Sequence, residues 1–230
     1  MKYYRVLNQS EEPSNAQLNS EHQLSEFRKQ VIAMFPHSKA VCNLSKSTGI
    51  QLKGAMCLAQ NIPYFSDIVR QFINNGKELC PLIELGVKDP IKYIKLDDLI
   101  EFSNNYIGII NDTELCFDIH NGNVLWEYIW EYVRENKYLN LPSRLKSVFL
   151  FNNKKEASDF FKNYRDDRYS ICEIKLLSGE TEDFDMNWFT DVPCDVTFND
   201  AIKYAESYWG RKQTPQPIIE TLHQGLYSWY

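Results

Sequence analysis

Three polar side chains stand in runs that otherwise favour β-strands, and their types could carry out chemistry together. Arg5 lies in YYRVL, Ser147 lies in LKSVFLF, and Glu220 lies in PIIETLHQG. A guanidinium can bind a phosphate or a carboxylate through two parallel hydrogen bonds. An unpaired buried carboxylate costs several kcal/mol. Glu220 therefore indicates either a solvated strand face or a cleft in which the charge is used.

Each of these residues also has an interpretation without function. Arg5 is compatible with a solvent-facing place at a sheet edge, and Ser147 with a solvated strand end. Glu220 is compatible with a solvated strand face, with His223 and Gln224 close by in sequence. Only a shared cleft would favour chemistry over these alternatives. We expect Arg5, Ser147 and Glu220 to converge on one cleft, because the first and last strands need partners and a shared sheet supplies them.

Hydrophobic periodicity and turn residues predict the elements of the first half of the chain. The expected order is a strand over 2–7, a mobile polar linker over 8–23, a helix over 24–35 ended by Pro36, further helices with a break at Pro63, and two short strands within 104–123. The strand over 2–7 needs a partner, and the other predicted strands lie mostly in the second half.

The second half alternates between strands and helices with short connections. The pattern predicts a helix over 124–136, a strand over 141–151, a helix over 154–164, an alternating strand over 169–177, a helix over 198–209 and a closing strand or hairpin over 217–229. We expect the strand over 2–7 to join this sheet.

Composition excludes several classes of function. The net charge of −6 and the pI of about 5.3 argue against a broad basic surface for duplex nucleic acid. No apolar run reaches the ~18 residues that span a bilayer, and MKYYRVLNQS contains no apolar core of a signal peptide. We therefore expect a cytoplasmic location, with export without a cleaved signal left open.

Cysteine and histidine spacing predicts no metal site. None of the six cysteines forms a C-x-x-C pair, and none of the four histidines is spaced as a metal ligand usually is. The contexts of the cysteines indicate reduced, mostly buried thiols. The sequence also lacks a P-loop, a Rossmann glycine fingerprint, G-x-S-x-G and H-E-x-x-H.

The chain places Arg on the first predicted strand, Ser on a middle strand followed by a helix, and Glu on a late strand. This order resembles the ADP-ribosyltransferase fold, with its Arg–Ser–Glu or His–Tyr–Glu arrangement. SRLKSVFLFNNKKEASDFF is similar to the middle strand and following helix of that family. PIIETLHQG is similar to the Glu strand of DarT-like transferases, and PSR followed by S-x-F resembles a little-studied bacterial branch. The resemblance covers residues 2–7 and roughly 124–229. Ile218 departs from it, because the Arg–Ser–Glu group usually places there a residue that helps choose the acceptor.

This resemblance implies an α+β fold, with an ADP-ribosyltransferase-like split β-sheet core and a mainly helical insertion. The implied division is a core of 1–7 and 104–230, a helical insertion or subdomain over 24–103, and a flexible linker over 8–23. It also implies a transferase that uses NAD as its substrate without a metal, acting as a toxin, effector or defence enzyme. The acceptor would be a protein or a nucleic acid, and the helical segment could bind a regulatory partner.

The resemblance assigns a role to each candidate residue. Glu220 would bind the ribose 2′-hydroxyl and stabilise an oxocarbenium-like transition state, and Ser147 would support it. Arg5 would hold the phosphates of NAD. The remaining cofactor-binding candidates would stack on nicotinamide or adenine; they are Tyr4, Phe149 and Trp209.

Two other functions remain open at this point. An enzyme similar to RNA 2′-phosphotransferases would keep the fold and change the reaction. A non-catalytic interaction protein would bind a partner through its acidic surface, and loss of Arg5 and Glu220 would leave it unharmed. For the transferase we expect Glu220→Gln to lower turnover while stability holds or rises, since a costly buried charge becomes a neutral amide.

Overall fold

Two long antiparallel strands form the centre of the sheet that carries Glu220. The structure, a computed structural model, describes residues 2–8, 17–22, 24–116, 122–164, 169–193 and 195–229. The chain folds as two units, which we call the sheet unit and the helical unit. The sheet unit is Met1–Arg28, Trp130–Asp191 and Tyr204–Tyr230, and the helical unit is Lys29–Ile129 and Val192–Lys203. Residues 104–129 and 192–203, which the family resemblance assigns to the core, thus belong to the helical unit.

The described elements are both helices and strands, and the strand pairs are antiparallel, so the protein is a mixed α/β protein with antiparallel sheets. The strands are β1 (Tyr3–Asn8), β2 (Leu18–Asn19), β3 (Leu79–Pro81), β4 (Tyr93–Lys95), β5 (Val148–Leu150), β6 (Tyr169–Asp185) and β7 (Ile219–Trp229). The helices are α1 (Glu26–Ala33), α2 (Phe35–Thr48), α3 (Leu52–Asn74), α4 (Leu96–Thr113), α5 (Gly122–Lys137), α6 (Lys154–Tyr164), α7 (Asn187–Thr190) and α8 (Phe198–Trp209). Short 3₁₀ turns cover Leu82–Leu85 and Arg144–Lys146.

The sheet of the sheet unit follows the order β1–β6–β7–β2, with β5 also paired to β7. A bridge between Tyr4 and Phe151 brings β5 back beside β1. β6 pairs with β1 along its first part and with β7 along the rest. The strand over 2–7 therefore joins the same sheet as the closing strand, as predicted.

Gly179 and Gly225 face each other in the pairing of β6 with β7. Their φ angles are +129° and +148°, which side chains rarely allow. A Cβ on Gly225 would lie 2.2 Å from the carbonyl oxygen of Ser178, and one on Gly179 would lie 2.2 Å from that of Gln224. Both positions therefore require glycine.

Alternation along β1 sends its side chains into two separate hydrophobic clusters. Tyr3 packs against the first cluster, and Tyr4 and Val6 pack against the second. The buried members of the first are Val148, Leu150, Ile174 and Tyr227, and those of the second are Phe151, Ala157 and Met186. The second cluster includes residues of α6, so this helix covers that part of the sheet.

The helical unit is built around α2, α3 and α4. Val41, Leu44, Leu58 and Leu99 are among its buried apolar residues. Ser45 ties the end of α2 to the start of α8, because its hydroxyl donates to the Ile50 carbonyl and accepts from the Phe198 amide.

Several predicted boundaries were wrong. The two strands expected within 104–123 are replaced by α4 up to Thr113, because the helical stripe of Leu99, Phe102 and Tyr106 is buried; residues 117–121 lie outside the described residues. α3 continues through position 63 without the expected break. The strand expected over 141–151 begins only at Val148.

The expected linker over 8–23 needs a correction as well. Residues 9–16 and 23 lie outside the described residues, but Leu18 and Asn19 form β2 on the edge of β7. Ser20 is buried, and its hydroxyl accepts a hydrogen bond from the Gly225 amide at 2.9 Å. This part of the segment is therefore packed, because backbone pairing to β7 offsets the cost of ordering it.

The five cysteines within the described ranges are free thiols, as expected, and Cys194 lies outside those ranges. Within the described ranges no helix is long and apolar enough to cross a bilayer. The same ranges contain no group of three or more His, Cys, Asp or Glu side chains placed to hold a metal ion.

Candidate active site

Glu220 forms a buried ion pair at the start of β7. Nη1 of Arg144 lies 2.5 Å from Oε1 of Glu220, and the Tyr208 hydroxyl donates to the same oxygen at 2.8 Å. The same Nη1 also donates to the Tyr208 hydroxyl at 2.7 Å. Glu220 is 6% exposed, Arg144 is 4% exposed and Tyr208 is fully buried. We call these three residues the carboxylate cluster.

Separate elements bring the cluster together. Glu220 stands on β7 opposite Phe184 of β6, and Tyr208 lies in the last turn of α8. Arg144 opens the 3₁₀ turn before β5, and this turn is fixed to β7 because the Ser143 amide donates to Oε1 of Gln224 at 2.8 Å. The cluster therefore depends on contacts between positions far apart in sequence.

Asp185 fixes the chain just before Glu220. Its Oδ1 accepts from the amides of Asn187 and Ile218, and its Oδ2 accepts from the amide and the hydroxyl of Thr214. This carboxylate is 2% exposed and lies directly across from Ile219 in the β6–β7 pairing. The entry into β7 is thus tied to the end of β6, which sets the position of Glu220.

A cavity of about 770 Å³ opens beside the carboxylate cluster. Its walls combine charged and aromatic side chains, in line with the mainly apolar lining and few polar groups of ligand sites. The charged residues are Arg5, Glu26, Arg144 and Glu220, and the aromatic ones are Phe27, Phe149, Phe151, Phe160, Tyr169 and Phe189. The cavity lies wholly within the sheet unit.

Aromatic rings hold the Arg144 guanidinium in place. Its central carbon lies 4.8 Å from the ring centroid of Phe149 and 4.2 Å from that of Phe189. Arg28 lies 5.4 Å from the same Phe149 ring, and its guanidinium donates to the carbonyl oxygen of Ser147. Such contacts stabilise a cation where water is excluded.

Both hydrogen bonds to Glu220 in the described part of the chain end on Oε1. The other carboxylate oxygen, Oε2, accepts none from these residues, while the side chain as a whole lines the cavity. The described residues therefore hold this carboxylate through one of its two oxygens. This arrangement can stabilise positive charge that develops in the cavity.

The structure brings some of the predicted residues to this cavity. Glu220, Arg5 and Phe149 all line it. The Arg5 guanidinium lies 5.4 Å from the ring centroid of Trp229, and 3.5 Å separates its Nη1 from the hydroxyl of Tyr227. The guanidinium that contacts Glu220 is that of Arg144, which was not a predicted site residue.

The other predicted residues do not line the cavity. Ser147 is fully buried, and its Oγ has no hydrogen-bond partner among the described residues. Tyr4 packs against the cluster around Phe151. Trp209 is 1% exposed, and its Nε1 donates to the carbonyl of Trp130 at 2.8 Å, so it is a core residue.

His223 does not contact Glu220, although it is close in sequence. Its Nδ1 lies 2.8 Å from the Thr181 hydroxyl, and its Nε2 lies 3.1 Å from the carbonyl of Leu226. Burial lowers the pKa of the His223 imidazole. These contacts satisfy both ring nitrogens away from the cavity.

The pairing of Glu220 with Arg144 changes the expected effect of Glu220→Gln on stability. The expectation from sequence treats the carboxylate as an isolated charge whose removal relieves a cost. Here removal takes away the carboxylate that lies 2.5 Å from the buried Arg144 guanidinium, and breaking such a pair from one side is destabilising. We therefore now expect the substitution to lower stability.

Sequence reasoning missed Arg144, Tyr208 and Phe189. Arg144 lies in the PSR segment that carries part of the family resemblance, and this was a usable signal. Tyr208 and Phe189 lie in short stretches rich in aromatic residues, where nothing distinguishes a site residue from a core residue.

Comparison with known proteins places the chain in a family without assigning a reaction. Residues 85–228 match a family described as a protein of unknown function (DUF2441). The match covers more than half of the chain, so the protein belongs to this family. No curated protein matches the chain. The whole carboxylate cluster lies inside the matched region, whereas Arg5 precedes it.

Proposed function

We propose that the protein is a NAD-dependent ADP-ribosyltransferase, with the ADP-ribosyltransferase-like split sheet as its core. It would cleave the bond between nicotinamide and ribose and transfer ADP-ribose to a macromolecular acceptor. The observation that supports this most is the carboxylate of Glu220, which lines an aromatic cavity and is held through one oxygen only. A toxin, an effector or a defence enzyme would use this reaction.

The proposed reaction needs a fixed negative charge more than a strong acid. The bond between ribose C1′ and the nicotinamide nitrogen breaks, and its electron pair leaves with nicotinamide, which becomes neutral. Positive charge develops on the ribose ring, as in glycoside hydrolysis, and Glu220 would stabilise it while accepting a hydrogen bond from the 2′-hydroxyl. A nucleophilic atom of the acceptor then bonds to C1′, and its proton passes to water.

The size and lining of the cavity suit a ligand with flat rings. Its volume of about 770 Å³ falls within the roughly 300–1,000 Å³ typical of small-molecule sites. Phe149, Phe151 and Phe189 offer aromatic surfaces for stacking with a nicotinamide or adenine ring. Arg5 lines the same cavity and carries the positive charge that phosphates require.

Transfer of label from NAD tests the proposal and identifies the acceptor class. The protein is incubated with a cell lysate and NAD labelled in its adenylate phosphate, and the products are then treated with protease or with nuclease. We expect macromolecular label from the wild type and very little from Glu220→Gln. Label removed by protease would indicate a protein acceptor, and label removed by nuclease a nucleic acid.

A matched control separates catalysis from general damage. Glu182 also pairs with an arginine, Arg211, but this pair is 35% and 52% exposed and lies outside the cavity lining. Glu182→Gln should leave labelling unchanged. Equal labelling by wild type and Glu220→Gln, or none by the wild type, would contradict the proposal and favour a non-catalytic interaction protein.

A further inference from the structure

Tyr208 has a place in the site that the proposed reaction does not by itself require. Its hydroxyl contacts both charged members of the carboxylate cluster, at 2.8 Å from Glu220 Oε1 and 2.7 Å from Arg144 Nη1. Tyr208 is fully buried and does not line the cavity. It can therefore act on a ligand only through Glu220 or Arg144.

Packing around the ring of Tyr208 restricts its hydroxyl to one direction. It stacks on Phe184, the cross-strand neighbour of Glu220, with the centroids 4.7 Å apart. Trp209 and Trp130 meet it edge-on at 4.9 and 6.3 Å. A ring packed this tightly has little freedom to change rotamer, so the hydroxyl is pre-organised toward Glu220.

The Tyr208 hydroxyl is a hydrogen-bond donor near neutral pH, where a phenol is protonated. Burial raises the pKa of this phenol well above its usual value, and the neighbouring Glu220 carboxylate raises it further, although Arg144 opposes the shift. A protonated phenol can donate to the carboxylate, and hydrogen bonds to an ionised acceptor are shorter and stronger than neutral ones.

Arg144 is fixed as firmly from its own side. Its guanidinium lies 4.2 Å from the Phe189 ring centroid, and Gln224 holds the preceding residue through the Ser143 amide. Arg144 and Tyr208 therefore approach the same oxygen from two rigid supports. Together they determine the rotation of the Glu220 carboxylate and hence where Oε2 lies.

We propose that Tyr208 and Arg144 are positioning residues, which hold Glu220 through Oε1 so that Oε2 meets the ligand in the cavity. This inference rests on the proposed function, because it concerns how the catalytic carboxylate is oriented. Misplacing a catalytic group by about 1 Å can cost roughly 10²-fold in rate. Losing one of two holding contacts should therefore lower turnover by roughly tenfold.

Tyr208→Phe tests the role of the hydroxyl while it retains the ring. Nicotinamide release is measured for this variant in the wild-type and in the Glu220→Gln background, together with thermal stability. We expect kcat to fall by roughly tenfold while KM stays within about twofold. The reason is that the position of the Glu220 carboxylate matters mainly in the transition state, where the positive charge develops. In the Glu220→Gln background the same change should have little further effect, because coupled residues are not additive.

Two further variants sharpen the comparison. Tyr204→Phe, one turn earlier on α8, removes a hydroxyl from a partly exposed tyrosine whose ring faces Trp188, and it should leave kcat unchanged. Arg144→Lys keeps the positive charge but loses the planar guanidinium. It should lower kcat by a larger factor than it changes KM.

Three outcomes would overturn the inference, and they are distinguishable. An equal fall of kcat in both backgrounds would mean that Tyr208 does not act through Glu220. An unchanged kcat with lower stability would make it a structural residue only. Absence of nicotinamide release by the wild type would overturn the proposed function, and the positioning role with it.

Discussion

Glu220→Gln should destabilise the protein, because it removes one partner of a buried ion pair. The side chains of Arg144 and Glu220 are only 5% and 9% exposed. Water therefore has little access to the Arg144 guanidinium and cannot solvate it in place of the carboxylate. Breaking a buried pair from one side typically costs about 3–5 kcal/mol. A glutamine can still accept the hydrogen bond of Tyr208, so we expect the low end, about 3 kcal/mol.

Urea unfolding measures this loss directly. Circular dichroism and tryptophan fluorescence are followed in parallel, since coincident transitions justify a two-state analysis. Glu182→Gln is the matched control: its partner Arg211 is 52% exposed, and exposed pairs contribute less than about 1 kcal/mol. The midpoint of Glu220→Gln should fall well below those of the wild type and the control. Equal midpoints for all three proteins would refute the view that Glu220 neutralises a buried guanidinium.

Two other predictions concern the strands and the helical unit. Gly225→Ala should destabilise the protein, because the new Cβ would lie 2.2 Å from the Ser178 carbonyl oxygen at a φ of +148°. Gly108 lies in α4, and the Cβ that alanine would add there has nothing within 4 Å. Gly108→Ala should therefore stabilise the protein slightly, by about 0.5–1 kcal/mol. Thermal melts of both variants check these two expectations, and equal effects would contradict them. Burial lowers the pKa of His37, so the unfolded chain binds this proton more readily, and stability should fall as the pH drops below about 6.5. Urea unfolding at pH 8 and pH 5.5 should show a smaller fall for His37→Gln than for the wild type; an identical fall would rule out a contribution from His37.

Local pattern predicted several elements of the sheet unit. The closing strand, α6 and α8 lie close to where periodicity put them, and β1 joins the sheet. Within 104–123 the asparagines and the aspartate resemble turn residues, yet burial of Phe102 and Tyr106 stabilises a helix there. Tertiary packing overrides local propensity at this point.

The candidate site could be predicted only in part, because its key contacts are not local. Glu220 was recognisable as a charge in an apolar run. Its partner Arg144 lies 76 positions earlier, and no periodicity links the two. The same limit applies to Tyr208, whose role depends on one hydroxyl that sequence cannot orient. Its neighbour Trp209 was predicted instead to bind the cofactor, and it is a core residue.

The most direct test of the proposed function is the release of nicotinamide from NAD labelled in its nicotinamide ring. It is measured for the wild type, Glu182→Gln and Glu220→Gln at a temperature where all three are folded. If the Glu220 carboxylate stabilises the transition state, the first two release nicotinamide equally and Glu220→Gln is slower by roughly 10²-fold or more. Equal release by all three folded proteins, or none by the wild type with and without lysate, would contradict the proposal.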